Sequence, residues 1–112
     1  MSQVSASQIA VSALAALDRK RDVTANNIAN VNTDDFKKSR ALFQTEDIPG
    51  VSVKVEKVDT PGMPQPNGVE SSNVKIEKEL ASLITTEHSY TANVEVIETA
   101  GKMHETLIDI FA

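Results

Sequence analysis

Only two histidines occur in the 112 residues, His88 and His104, sixteen positions apart. On one helix that separation is roughly 24 Å at about 1.5 Å per residue, too far to share a metal without a second chain. Each has a glutamate beside it, Glu87-His88 and His104-Glu105. Sequence neighbours on a helix point in different directions, so neither pair is arranged for proton transfer. Glu95 and Glu98 form an i, i+3 carboxylate pair, which is ordinary on an acidic helix. There is no cysteine, and so no thiolate ligand, disulfide or sulfur nucleophile. No phosphate-binding glycine loop, nucleophile elbow, HExxH or calcium-loop spacing is present. The chain reads as a non-enzyme with no catalytic, cofactor or metal residues and no small-molecule substrate. Its function must rest on surfaces.

Charge and composition narrow the partners. The net charge is −5, unevenly spread. Residues 1–40 hold six basic side chains against four carboxylates, and residues 70–112 hold three against eight. The ends should attract weakly, guiding orientation more than adding stability. Nucleic acid is disfavoured, because Asp18 and Asp22 flank Arg19-Lys20-Arg21 and no aromatic lies near to stack on a base. No apolar run is long enough to span a bilayer. The opening MSQVSASQIAVSALAALDRK lacks the basic start and leucine block of a cleaved leader. Hydrophobic residues make up 40% but aromatics only 4%, which suits long helices packed by small and branched aliphatics.

The strongest periodicity lies in the last forty residues. Ile76, Leu80, Leu83, Glu87, Tyr90, Val94, Ile97, Gly101, His104, Ile108 and Phe111 follow alternating steps of four and three. This is a heptad seam about five heptads long, flanked by Ile84, Met103 and Leu107 and interrupted by Glu87, Gly101 and His104. A helix of that length is roughly 54 Å long and cannot bury its own seam. It needs a partner helix.

A first helix is predicted from Ser5 to about Val31, with Ser5 or Ser7 as its N-cap. Ala10, Leu14, Leu17, Thr24, Ile28 and Val31 share one face, and Arg21 breaks the row. The run Asn26, Asn27, Asn30, Asn32 and Thr33 is unusual, since Asn favours caps and turns over helix interiors. Its regularity implies specific bonding partners. The segment Phe36–Phe43 reads as extended, Ile48-Pro49-Gly50 as a turn, and the alternation Val51–Val58 as a strand with one buried face. Thr60–Gly68 holds three of the four prolines and reads as a loop. Ser71, Ser72 or Asn73 is the expected cap of the long helix.

Two stretches of text resemble a known family. Ala25-Asn26-Asn27-Ile28-Ala29-Asn30-Val31-Asn32-Thr33, followed two residues later by Phe36-Lys37, is similar to the N-terminal signature of bacterial flagellar rod and hook proteins, usually ANNIANxNTxGFK. Ser72-Asn73-Val74, Glu79-Leu80 and Ser89–Ile97 resemble the family's C-terminal pattern, most of all that of its proximal rod members. Asp35 stands where the family usually has Gly, so a left-handed residue at that turn would carry a side chain. The middle segment is short for such a protein.

The resemblance implies a mainly α fold. Two long terminal helices pair as a coiled coil, with a small β-hairpin or extended segment and a Pro/Gly loop between them. The single domain divides into an N-terminal helix (1–34), an extended part (35–72) and a C-terminal helix (73–112). The implied function is that of a structural subunit of the basal-body rod, exported without a cleaved leader by the flagellar apparatus. Its partners would be that apparatus, other rod subunits and further copies of itself. Assembly would draw on Asn26, Asn27, Ile28, Asn30, Asn32 and Phe36, and on Leu80, Leu83, Tyr90, Asn93, Val94, Ile97 and Ile108. Phe36, Tyr90 and Leu80 are the expected core anchors. A soluble coiled-coil adaptor or export-associated module that does not polymerise is the reading from another class; it would give a closed dimer, not a helical tube.

Overall fold

The computed structural model describes residues 5–45 and 50–111. Helix α1 spans Ala6–Ala29, strands β1 and β2 span Ser39–Thr45 and Val51–Lys57, and helix α2 spans Ile76–Phe111. Ser5 caps α1 through a reciprocal box: the Gln8 N–H donates to Ser5 Oγ at 3.2 Å and the Ser5 N–H to Gln8 Oε1 at 3.0 Å. At the other end the helix stops at Ala29, two residues short of the expected limit, with Asn30 as the C-cap. Its Nδ2 donates to the Asn26 carbonyl, and its Oδ1 accepts from Thr33.

The helices lie antiparallel. Asn27 bonds Glu79, Arg21 pairs with Glu87, and Ala6 shares a hollow with Val96, Ala100 and Met103. The molecule is accordingly a rod of 74 × 28 × 13 Å. Its radius of gyration is 19.4 Å, against about 13 Å for a compact chain of similar length.

Strands β1 and β2 form an antiparallel ribbon, with Ser39 opposite Lys57 and Thr45 opposite Val51. The ribbon runs along α1 from Asn27, which bonds Ser39, to Ser12, whose Oγ accepts from the Val51 N–H at 3.3 Å. None of its residues is fully buried. The expected buried face of the second strand is therefore only half covered, because a single helix lies against a two-stranded ribbon. Ile48 and Pro49 of the expected turn lie outside the described residues; Gly50 has φ +133°.

The Pro-rich segment is more structured than a plain loop. Pro64 bridges Glu70, and the Gln65 N–H donates to Val69 O while the Gly68 N–H returns to Gln65 O. Gly68 supplies a positive φ of 83°. A Cβ on Gly62 would stand 1.8 Å from the Ser71 carbonyl oxygen, so only glycine permits this approach.

The long helix starts without a side-chain cap from the expected residues. Ser72 Oγ accepts from Val74 N–H, and Asn73 directs its amide to the hairpin instead. The first helical carbonyl is that of Lys75, which accepts from Lys78 and Glu79 N–H.

The α2 seam is also rotated from its expected register. The row turned toward α1 is Glu79, Leu83, Thr86, Tyr90, Asn93, Ile97 and Ala100. Alternate positions have moved by one residue, a rotation of about 50°. Leu80, expected as a core anchor, is 47% exposed, whereas Thr86 is 1% exposed. The cause is the facing helix. The buried positions of α1 are Ala10, Ser12, Ala16, Leu17, Thr24 and Asn27, mostly small or polar. Small side chains let the helices approach closely and leave no room for a row of leucines.

α2 is 36 residues long and α1 24, so α2 outruns its partner. Residues 101–110 are all exposed, and the expected continuation of the seam through His104 and Ile108 meets no partner among the described residues. An unsupported helical end of about ten residues is marginal in water. Amide exchange in the free subunit should therefore be fast over 101–110 and slow around Thr86. Uniform protection along α2 would contradict this.

Candidate assembly surface

At the hairpin base two buried asparagines tie the elements together. Asn27, 2% exposed, treats β1 as a strand would. Its Nδ2 donates to Ser39 O at 2.8 Å while its Oδ1 accepts from Ser39 N–H at 3.0 Å. The same amide reaches Glu79 Oε2 at 3.4 Å, joining α1, β1 and α2 in one network. Asn73 does the equivalent for the chain leading into α2. Its Oδ1 accepts from Lys38 N–H at 2.7 Å, and its Nδ2 donates to the carbonyls of Val58 at 2.8 Å and Thr60 at 2.9 Å. Both give partners to part-buried backbone groups that face away from the β1–β2 ladder, and the Thr60 carbonyl also accepts from Lys37 Nζ.

Asp35 has φ +58°, the left-handed conformation usual for glycine. Its side chain offsets part of the strain: the Glu70 N–H donates to Asp35 Oδ1 at 3.1 Å, and the Asp35 N–H donates to Glu70 O at 2.8 Å. Asp35→Ala should lose the bond and keep the strain, costing about 1–2 kcal/mol. Asp35→Gly loses both, and should unfold in urea at nearly the wild-type midpoint. A larger loss for the glycine variant would contradict the balance.

Glu70 also accepts from Lys37 Nζ at 3.0 Å and from the Gly62 N–H at 3.3 Å. The Lys37 hydrogen bond, then its charge, and finally the Gly62 amide hold the Glu70 carboxyl below its usual value of 4.5. A carboxylate whose pKa is lowered by folding stabilises the fold above its unfolded value, and that contribution disappears as pH falls through the lower folded value. Stability should thus drop as pH is taken below about 4.5. Glu70→Gln should flatten part of that drop in thermal melts, and an unchanged profile would remove Glu70 from the account.

Two of the residues that interrupt the apolar rows, Arg21 and Glu87, turn out to be partners. Arg21 Nη2 lies 2.8 Å from Glu87 Oε1, and the guanidinium stacks 4.9 Å from the centre of the Tyr90 ring. Both charges are well exposed, so the pair sets register more than stability.

The other sequence-predicted residues divide clearly. Ile28, Phe36, Leu83, Tyr90, Val94 and Ile97 are half-buried between elements, while Asn26, Asn32 and Ile108 are exposed. Asn93 donates to Ser89 O in its own helix and does not cross to α1. Many of the large apolar side chains of α2 are exposed. Ile76, Leu80 and Ile84 form one exposed row, and Val96, Met103, Leu107 and Ile110 another, with Met103 68% and Ile110 70% exposed. Val96 and Ile110 escaped the heptad reading because they fall off its register. Asn73 resembled a cap by position, and only its distance from the helix start corrects that.

Comparison with known proteins accords with this architecture. Residues 8–37 match the family described as flagella basal body rod protein, and residues 65–110 the C-terminal family of the flagellar basal body rod FlgEFG proteins. The flagellar basal-body rod protein FlgC of Salmonella typhimurium is 32% identical over 117 residues, spanning 85% of this chain and 87% of that protein. FlgC of Salmonella typhi matches to the same extent. The chain belongs to the flagellar basal-body rod protein family. Its role in the rod is structural, not enzymatic, and its assembly is with rod subunits. For a rod subunit, a helix pair closed by small and polar residues with its large aliphatics outside is a physically sensible division. Among the described residues, no helix is long and apolar enough to cross a membrane.

Proposed function

We propose that this chain polymerises helically through its terminal helices, with other rod subunits and with further copies of itself, and transmits torque along the rod. The observation that carries this reading is the pair of exposed apolar rows on α2, which no other described part of the subunit covers. Burying them between subunits supplies the driving force, and heterologous contacts that do not close into a ring extend a filament. The site residues fit as two groups. Asn27, Phe36, Leu83, Tyr90 and Ile97 shape the subunit, while Leu80 and Ile108 face the neighbours. Export through the flagellar type III apparatus completes the reading. A cysteine-free chain passes an oxidising compartment without forming disulfides.

The test is mass spectrometry of basal bodies purified from the source organism, beside the swimming of a deletion strain. The chain should be present in the rod fraction with its N-terminal peptide intact, and swimming should be lost. Absence from the rod fraction with swimming retained would overturn the reading and favour a non-polymerising adaptor.

A further inference from the structure

Asn67 lies in the turn of the Pro-rich segment. Of the seven asparagines in the chain it alone precedes a glycine, and five of the others precede Ile, Val or Thr. A β-branched residue crowds its own backbone nitrogen, whereas glycine leaves it open. Pro66 and Asn67 form the centre of a turn closed by the Gly68 N–H, which donates to Gln65 O at 3.0 Å. Asn67 and Gly68 are both exposed, and a Cβ on Gly68 would meet nothing within 4 Å. Asn67 Oδ1 accepts from the Val69 N–H at 3.1 Å. An oxygen that reaches two residues ahead folds its Cγ back over the intervening peptide, whose nitrogen is that of Gly68. The same bond polarises the Cγ carbonyl. Among the described residues nothing holds Asn67 Nδ2, whereas Asn27, Asn30, Asn73 and Asn93 all donate theirs.

We propose that Asn67 is a modification site, at which the chain deamidates through a cyclic imide with Gly68. Hydroxide takes the Gly68 amide proton, and the nitrogen bonds to Asn67 Cγ. The Cγ–Nδ2 bond breaks, and ammonia leaves with a proton from water. A water molecule then opens the imide. Opening at Cγ gives aspartate, and opening at the main-chain carbonyl gives isoaspartate. Either product adds one negative charge at position 67. Aspartate keeps an oxygen for the Val69 N–H. Isoaspartate adds a methylene to the main chain, which throws the Gln65–Val69 bond and the Pro64–Glu70 bridge out of register. Glu70 ties this segment to Asp35 and Lys37, so the loosening reaches the turn that follows α1.

Incubation of the purified full-length subunit at mildly alkaline pH, followed by peptide mapping with mass spectrometry, tests this. Asn67 should convert before the other six asparagines, to a mixture of the two products. The folded turn holds the attacking nitrogen through the Gln65 carbonyl. Unfolding in guanidinium should therefore speed conversion at Asn67 roughly two- to tenfold. In the isoaspartate fraction, amide exchange at Val69 and Glu70 should quicken. Asn67→Asp, which adds the charge without the methylene, should exchange as the wild type does. Asn67 intact in the folded subunit while another asparagine converts would overturn the site. Isoaspartate at position 67 with unchanged exchange would overturn its effect on the hairpin.

Discussion

Leu80→Asp is expected to abolish incorporation into the rod while leaving the isolated subunit folded. Leu80 lies nearly half exposed in the row with Ile76 and Ile84, outside the face that meets α1. A polar change there should alter subunit stability by no more than about 0.5 kcal/mol. In an apolar contact between subunits the same carboxylate is desolvated without a partner, at a cost of several kcal/mol on each copy. Repeated along a filament, that cost is prohibitive. Swimming in soft agar and the rod fraction of purified basal bodies check the loss, and a urea melt of the free protein checks the fold. Val94→Asp should also block assembly but is less diagnostic, since Val94 is half-buried within the subunit. Normal motility with Leu80→Asp would remove this row from the assembly surface.

Asn27→Leu is expected to have the largest effect on the subunit itself. Leucine is apolar and of similar size, but it would leave both the Ser39 N–H and the Ser39 carbonyl without the bonds that Asn27 now makes. It would also take from the buried Glu79 its donor. Two half-buried groups left unsatisfied cost about 1–3 kcal/mol together, a sizeable share of the stability of a chain with so few buried aliphatics. Asn26→Ala is the contrast. Asn26 is exposed and contributes a backbone carbonyl to the Asn30 amide, which alanine keeps. It should shift the urea midpoint by less than about 0.5 kcal/mol equivalent. Equal effects at both positions would mean that the asparagine tract acts through helix propensity and not through the network.

The helices, the ribbon and the family were legible because each depends on local pattern. Ser5 with Gln8 marks a helix start, alternation marks β2, and the Asn-rich tract stands out in any helix. Asp35 shows how far one residue can be read: the glycine usual at that place in the resembling family signalled a left-handed backbone, and its side-chain bond to Glu70 depended on a segment 35 residues away. The rotation of the α2 seam was not legible. Heptad spacing picks out the large apolar residues, and in an isolated globule those would face inward. Here Ala10, Thr24 and Asn27 on α1 select Glu79 and Thr86 instead, which leaves the aliphatic row of Ile76, Leu80 and Ile84 exposed on the subunit. Periodicity records the covered and the exposed apolar positions together and cannot separate them. Arg21 and Glu87 looked like two unrelated interruptions until antiparallel pairing set them side by side.

The lack of cysteine allows a direct test of whether the outer face of α2 is the one that assembles. Leu80→Cys and Leu107→Cys would be labelled with a maleimide in the free subunit and in purified basal bodies, with Met63→Cys, on the exposed Pro-rich segment, alongside. All three should react in the free protein. In basal bodies Leu80→Cys and Leu107→Cys should be protected while Met63→Cys continues to react. Full labelling of the two α2 positions within intact rods would contradict an assembly built on the exposed apolar rows.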